Sequence, residues 1–209
     1  MCQILNHPSK KHLAYFLYQD HPHLIFNSKK GIIPEILNKS FKLVDTMLTY
    51  YSKVTAVFVQ LHQAQPTEDN QLLTIMLQRL KAALKKHYRC EVGYFWVREQ
   101  NDANSQHYHM IVLLSGHKCQ QSQLVDTASG NAWKSIHPDN FRFKPKNRIY
   151  RIKRDGSYRE LRALRMRMSY MAKREGKNTI ASNVNSYQCC RLKKNCKLLS
   201  ENFSSNQTP

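Results

Sequence analysis

The chain has 209 residues, 41% of them hydrophobic, and carries 33 Lys or Arg against 14 Asp or Glu, a formal net charge of +19. That is enough apolar material for one folded domain, which excludes a wholly disordered chain, and purely apolar runs as short as Met110 to Leu114 exclude a membrane-spanning helix. The positive excess points to a polyanionic partner, and nucleic acid is the usual one.

The opening residues, Met1 to Lys10, lack the apolar stretch of a signal peptide, so a cytoplasmic location is expected. The six cysteines (Cys2, Cys90, Cys119, Cys189, Cys190 and Cys196) form no C-x-x-C pair and no zinc-finger spacing with histidine. They read as free thiols of a reducing compartment.

Residues 1–52 read as an N-terminal helical segment. Within it, His12 to Tyr18 admits a short helix or a strand, and Gly31 breaks the pattern. His21-Pro22-His23 falls in no predicted strand. From Pro34 to Tyr51, apolar residues recur at three- and four-residue steps (Ile36, Leu37, Phe41, Val44, Leu48), which predicts an amphipathic packing helix with Pro34 in its first turn. Val54 to His62 is β-branched and predicts a strand. Gln60 and His62 share one of its faces and either border a site or mark a strand fraying into a loop. A second helix is expected up to about Lys86 on the stripe Leu73, Leu77, Leu80 and Leu84, with Thr67 or Asp69 as N-cap and acids in its first turn.

Glu91 to Glu99 and His107 to Leu114 read as two strands joined by a polar loop. Paired antiparallel, they set Glu99 opposite His107, Val97 opposite His109 and Phe95 opposite Ile111. Alternation puts His107 and His109 on one face, and Glu99 shares it. Two imidazoles and a carboxylate converging there make a three-ligand site for a divalent metal, and the mixed set suits Mn²⁺, or less naturally Mg²⁺. A His-x-His pair alone is weak, since the chain has ten histidines; the carboxylate across the hairpin is what distinguishes this one.

Phe141 to Lys153 alternates basic and apolar residues and predicts a strand or ribbon with a basic face. Phe141, Phe143 and Tyr150 either stack on bases or pack underneath. From Lys134 to Lys177 there are 15 Lys or Arg against four acids. A helix is expected from Tyr158 to about Arg174, capped by Gly176. It carries Tyr170, with Arg167, Lys173 and Arg174 one turn away. Cations at that spacing favour a phenolate and attract phosphate. Residues 178–209 read as a basic, flexible tail.

A His-hydrophobic-His strand (His107-Tyr-His109), followed after about sixty residues by a helical Tyr-x-x-Lys (Tyr170 to Lys173), resembles the HUH endonucleases. Among these, Tyr94 to Glu99, His107 to Leu114, Tyr150 to Lys153 and Ser169 to Lys173 resemble the gene II-type initiators of filamentous phages and the YagK/YfjJ prophage family. The resemblance covers roughly Lys53 to Lys177, taken as a nuclease domain over 53–177. It implies an α+β fold, with a central antiparallel sheet and helices on its faces, in a rolling-circle replication initiator. It further implies Glu99, His107 and His109 as ligands of Mg²⁺ or Mn²⁺, Tyr170 as the nucleophile, and Lys173 as its assistant. Arg148, Arg151, Lys153, Arg167 and Arg174 are then expected on single-stranded or supercoiled DNA, with host replication helicase or polymerase as protein partners. The alternatives are a basic prophage protein with a degenerate fold that binds DNA without cutting it, and an RNA-binding protein of the same fold.

Overall fold

The computed structural model describes residues 3–100, 106–156, 158–177, 180 and 183–195. The loop expected over residues 100–106 and the far end of the chain therefore lie largely outside the described residues. The fold is α+β. Strands β1 (Ile4–Asn6), β2 (Leu13–Tyr18) and β3 (His21–Phe26) form a small antiparallel sheet. Helix α1 (Pro34–Tyr50), β4 (Lys53–His62), α2 (Gln71–Tyr88), β5 (Gly93–Gln100), β6 (Gln106–Ser115) and α3 (Gln123–Lys134) follow. The chain continues through β7 (Phe141–Phe143), β8 (Ile149–Lys153), α4 (Tyr158–Met171) and β9 (Tyr187–Cys189).

The large sheet runs β7-β4-β6-β5-β9, and β8 also pairs with β4. Among the described residues all its ladders are antiparallel. Its central strand β6 is apolar on both faces because both are covered. Val57, Met110 and Val112 pack with α2 and α3. Phe58, Phe95 and Ile111 pack with α1, α4 and the small sheet.

Four local expectations are corrected. The segment read as helical begins with three strands, and His21-Pro22-His23 opens β3. Helix α2 starts at Gln71, so no acid lies in its first turn; the Asp69 carboxylate instead accepts from the Gln71 N–H at 2.9 Å. Phe141 to Lys153 is two strands, because Pro145 cannot donate to a ladder and Asn147 takes a left-handed φ of 52°. Part of the expected tail forms β9, which pairs with β5 through Phe95 and Cys189. Among the described residues Cys90, Cys119, Cys189 and Cys190 are free thiols, and no helix is long and apolar enough to cross a membrane.

His23 belongs to a cluster that ties the small sheet to α1 and α4. Arg165, 5% exposed, contacts Asp45 at 3.4 Å and His23 at 3.0 Å. Burial first, and then the Arg165 and His21 charges, lower the His23 pKa to about 4 against the opposing pull of Asp45 and a backbone hydrogen bond. The unfolded chain therefore takes up this proton before the folded one does. Stability is expected to fall as pH drops from about 6.5 towards 4, in the same direction as the buried His109. Thermal melts of His23→Gln over that range should show a flatter slope than the parent; an unchanged slope would remove His23 from the account.

Candidate functional site

The hairpin register is the one expected: Glu99 lies opposite His107 and Val97 opposite His109. Glu99 Oε2 sits 3.3 Å from His109 Nε2 and 3.5 Å from His107 Nε2. Two donors each about 2.1 Å from one ion stand roughly 3.0–3.5 Å apart at octahedral to tetrahedral angles. The three side chains therefore fit a divalent cation, with both imidazoles offering Nε2. Their ligand atoms lie within 4.8 Å of one another, and the structure gives no other such group of His, Cys, Asp or Glu among the described residues. Glu99 is 1% exposed and His109 6%. On the opposite face Arg98 pins the base of the hairpin, donating to Gln106 Oε1 at 3.0 Å and to Asp69 O at 2.8 Å.

Two ammonium groups share the same carboxylate. Lys173 Nζ is 3.3 Å from Glu99 Oε2, and Lys177 Nζ is 3.3 Å from Oε1 and donates to Lys173 O at 2.8 Å. Burial by itself would raise the Glu99 carboxyl. The hydrogen bonds with His107 and His109 and the neighbouring positive charges outweigh it and hold Glu99 far below the usual carboxylate range. For His109 the balance reverses: burial lowers its pKa more than Glu99 raises it, so the ring is kept neutral, as a metal ligand must be. Burial also lowers Lys177, although Glu99 opposes it. For Lys173 the attraction of Glu99 and Tyr170 overcomes burial, and its pKa is raised.

Tyr170 stands next to this cluster. Lys173 Nζ donates to its hydroxyl at 3.4 Å and lies 4.5 Å from the ring centroid. One ammonium thus touches both the tyrosine and the carboxylate of the triad. Helix α4 ends at Met171, so the expected continuation to Arg174 with Gly176 as its cap is corrected. The chain turns instead because Lys173 bridges to Ile32, with Ile33 N donating to Ala172 O at 2.9 Å and Arg174 N to Gly31 O at 3.0 Å. Gly31 holds this junction at φ +88°, a conformation a side chain would strain. Phe26 N donates to Ser169 Oγ at 2.8 Å, and its ring packs 5.3 Å from that of Tyr170.

The expected ring of three cations around Tyr170 reduces to Lys173. Arg167 donates to the Tyr150 hydroxyl at 3.1 Å and covers the Phe58 ring, and the Arg174 side chain lies beside Gly31. Arg148 and Arg142 both pair with Asp126, at 2.9 and 3.0 Å. Arg151 and Lys153 lie opposite Thr55 and Lys53, at the other end of β4 from Gln60, which faces His109. Thr55 and Gln60 are five residue steps apart along β4, about 17 Å, and the two project to opposite faces. Arg148, Arg151 and Lys153 do not join the site.

Three further residues contribute, of which Lys177 was not read as a site residue from the sequence, while His62 and Phe141 were read as site residues only as one of two alternatives. Lys177 reaches Glu99 from beyond α4. His62 lies opposite His107 across the β4–β6 ladder and stacks on it at 5.4 Å. Phe141 pairs with His62 and stacks on it at 4.5 Å, almost parallel. The signals available were the shared face of Gln60 and His62 and the alternation of aromatic and basic residues from Phe141.

A family model described as the YagK/YfjJ C-terminal domain matches residues 18–190, further in both directions than the resemblance read from the motifs. A search of curated proteins gives no match. A search of solved structures gives none either.

Proposed function

As this chain belongs to the YagK/YfjJ C-terminal domain family, we propose that its site nicks and rejoins single-stranded DNA through a covalent tyrosine intermediate, as a phage or prophage replication initiator of HUH type. The observation that carries this reading is the single ammonium of Lys173 lying within 3.4 Å of both the Tyr170 hydroxyl and Glu99. A nucleophile, its cation and a metal-ligand set are thereby contiguous. A divalent ion held by Glu99, His107 and His109 would supply Lewis-acid polarisation of the scissile phosphate.

The chain's own groups supply the rest. Tyr170 Oη attacks phosphorus, and the bond from phosphorus to the 3′ oxygen breaks. The phenol proton leaves to water, and the departing 3′ oxygen takes one up. The products are a 5′-phosphotyrosine and a free 3′-hydroxyl, and reversal of the step rejoins the strand. Phenol ordinarily ionises near pH 10, so a cation beside the oxygen matters. Lys173 is held in its charged form by Glu99 and Tyr170, and so donates to the forming phenolate and to the phosphate it attacks. Lys177 keeps Glu99 charged and oriented.

A second reading, a basic protein that binds DNA without cutting it, draws on one observation: Lys173 and Lys177 already balance Glu99 without an ion. Incubation with single-stranded DNA and Mn²⁺, followed by denaturing electrophoresis, separates the two. The nicking reading expects a denaturation-resistant protein–DNA adduct that chelator prevents; DNA binding with no adduct on any single-stranded origin sequence would favour the second.

A further inference from the structure

The rings of Phe141, His62 and His107 form a column. Phe141 lies 4.5 Å from His62 at an interplanar angle of 6°, and His62 lies 5.4 Å from His107 at 18°. The inner end of the column is a residue of the triad. Its outer end is open, since Phe141 is 50% exposed. Phe143, two residues on along the same face of β7, is 51% exposed and meets the same His62 ring edge-on at 6.5 Å.

Large aromatic side chains side by side at the surface lose hydrophobic stabilisation unless something covers them. Strand β7 is an edge strand, and the exposed Lys144 and Lys146 follow it directly. Tyr150, on the next strand of the same basic segment, is buried, so within that segment the exposed aromatic rings are those of Phe141 and Phe143. Flat apolar rings flanked by exposed lysines match a chain of flat bases joined by phosphates, and match a duplex poorly, because its base faces are already stacked.

We propose that Phe141 and Phe143, backed by His62, form a ledge on which bases of single-stranded DNA stack next to the triad, with Lys144 and Lys146 on the adjoining phosphates. The ledge would guide one strand along the edge of β7 towards His107. This rests on the reading that the site acts on single-stranded DNA.

The test is equilibrium binding by the full chain, in chelator so that no cleavage enters, to two fluorescent probes of equal length. One is an ordinary single-stranded oligonucleotide and the other carries abasic residues throughout. The wild type should bind the ordinary probe more tightly. Phe141→Ala with Phe143→Ala should weaken that probe by about five- to a hundredfold, the range for losing a stacked base, and leave the abasic probe unchanged. Phe141→Trp should retain base-dependent binding. Equal wild-type affinity for the two probes overturns the ledge, and that comparison holds even where the double variant fails to fold. An equal loss on both probes overturns it as well, and is the result expected were these rings buried against a second copy of the chain. Base-dependent binding without any covalent adduct would retain the ledge and remove the nicking reading; an adduct without base-dependent binding would do the reverse.

Discussion

Tyr170→Phe should abolish the covalent adduct while leaving single-stranded DNA binding within about twofold of the parent. The substitution removes one oxygen and keeps the ring, so the packing against Phe26 survives. Tyr170 is 39% exposed, and the bond from Lys173 to its hydroxyl is long, at 3.4 Å. Its loss should therefore cost no more than about 1 kcal/mol in folding. Cleavage should fall to background, since no other hydroxyl contacts the Lys173 ammonium among the described residues. Lys173→Ala should slow the reaction without stopping it, because Tyr170 stays in place while its phenolate loses a cation. Two other tyrosines are the informative controls. Tyr150 is 6% exposed and accepts from Arg167, which leaves it little access to a phosphate. Tyr158 is 50% exposed, and its hydroxyl meets His23 and Arg165, so it has access, a neutral imidazole and a cation of its own. Tyr158→Phe should leave the adduct intact. An adduct that survives in Tyr170→Phe, mapped by mass spectrometry to Tyr158, would overturn the assignment of the nucleophile while keeping the reaction.

Glu99→Ala should damage the protein twice, and the two effects can be separated. Without metal, it leaves the ammonium of Lys177, 7% exposed, without its paired carboxylate, and takes from Lys173 the carboxylate it pairs with. Breaking a buried pair by removing one partner costs about 3–5 kcal/mol. For a domain of this size that is a fall in Tm of roughly 6–20 °C, read in chelator. With Mn²⁺, the variant should also lose the stabilisation that ion binding gives the parent. His109→Ala provides the contrast. It removes a ligand but leaves Glu99 with both lysines, so its melting in chelator should fall less, while its response to Mn²⁺ should be lost just as fully. A Glu99→Ala protein that melts with the parent in chelator would show that the lysine pairs contribute nothing. A Mn²⁺ shift that persists in both variants would place the ion elsewhere.

The local chemistry of the sequence determined the hairpin that carries the triad. Its arms are rich in aromatic and β-branched residues, its loop is polar, and a slip of one residue would turn His107 and His109 away from the face that Glu99 shares. The stripes of α1 and α2 were legible for the same reason, because burial on one face repeats at helical spacing. So was the contact between Tyr170 and Lys173, since three residues apart are neighbours both in a helix and in the tighter turn that ends it.

What the tertiary structure alone decided is every contact between segments distant in sequence. The stack of His62 on His107 depends on β4 pairing with β6, and no local pattern states which strands become neighbours. Lys177 reaches Glu99 only because α4 stops at Met171, and it stops there because residues 31–33 offer its end a β-bridge in place of another turn. The division of the basic ribbon also became visible only once folded: Arg148 is drawn inward by Asp126, whereas Phe141 and Phe143 are left on the edge. Periodicity reports which face of an element is buried. It is silent on what that face is buried against, because that depends on the whole chain closing on itself.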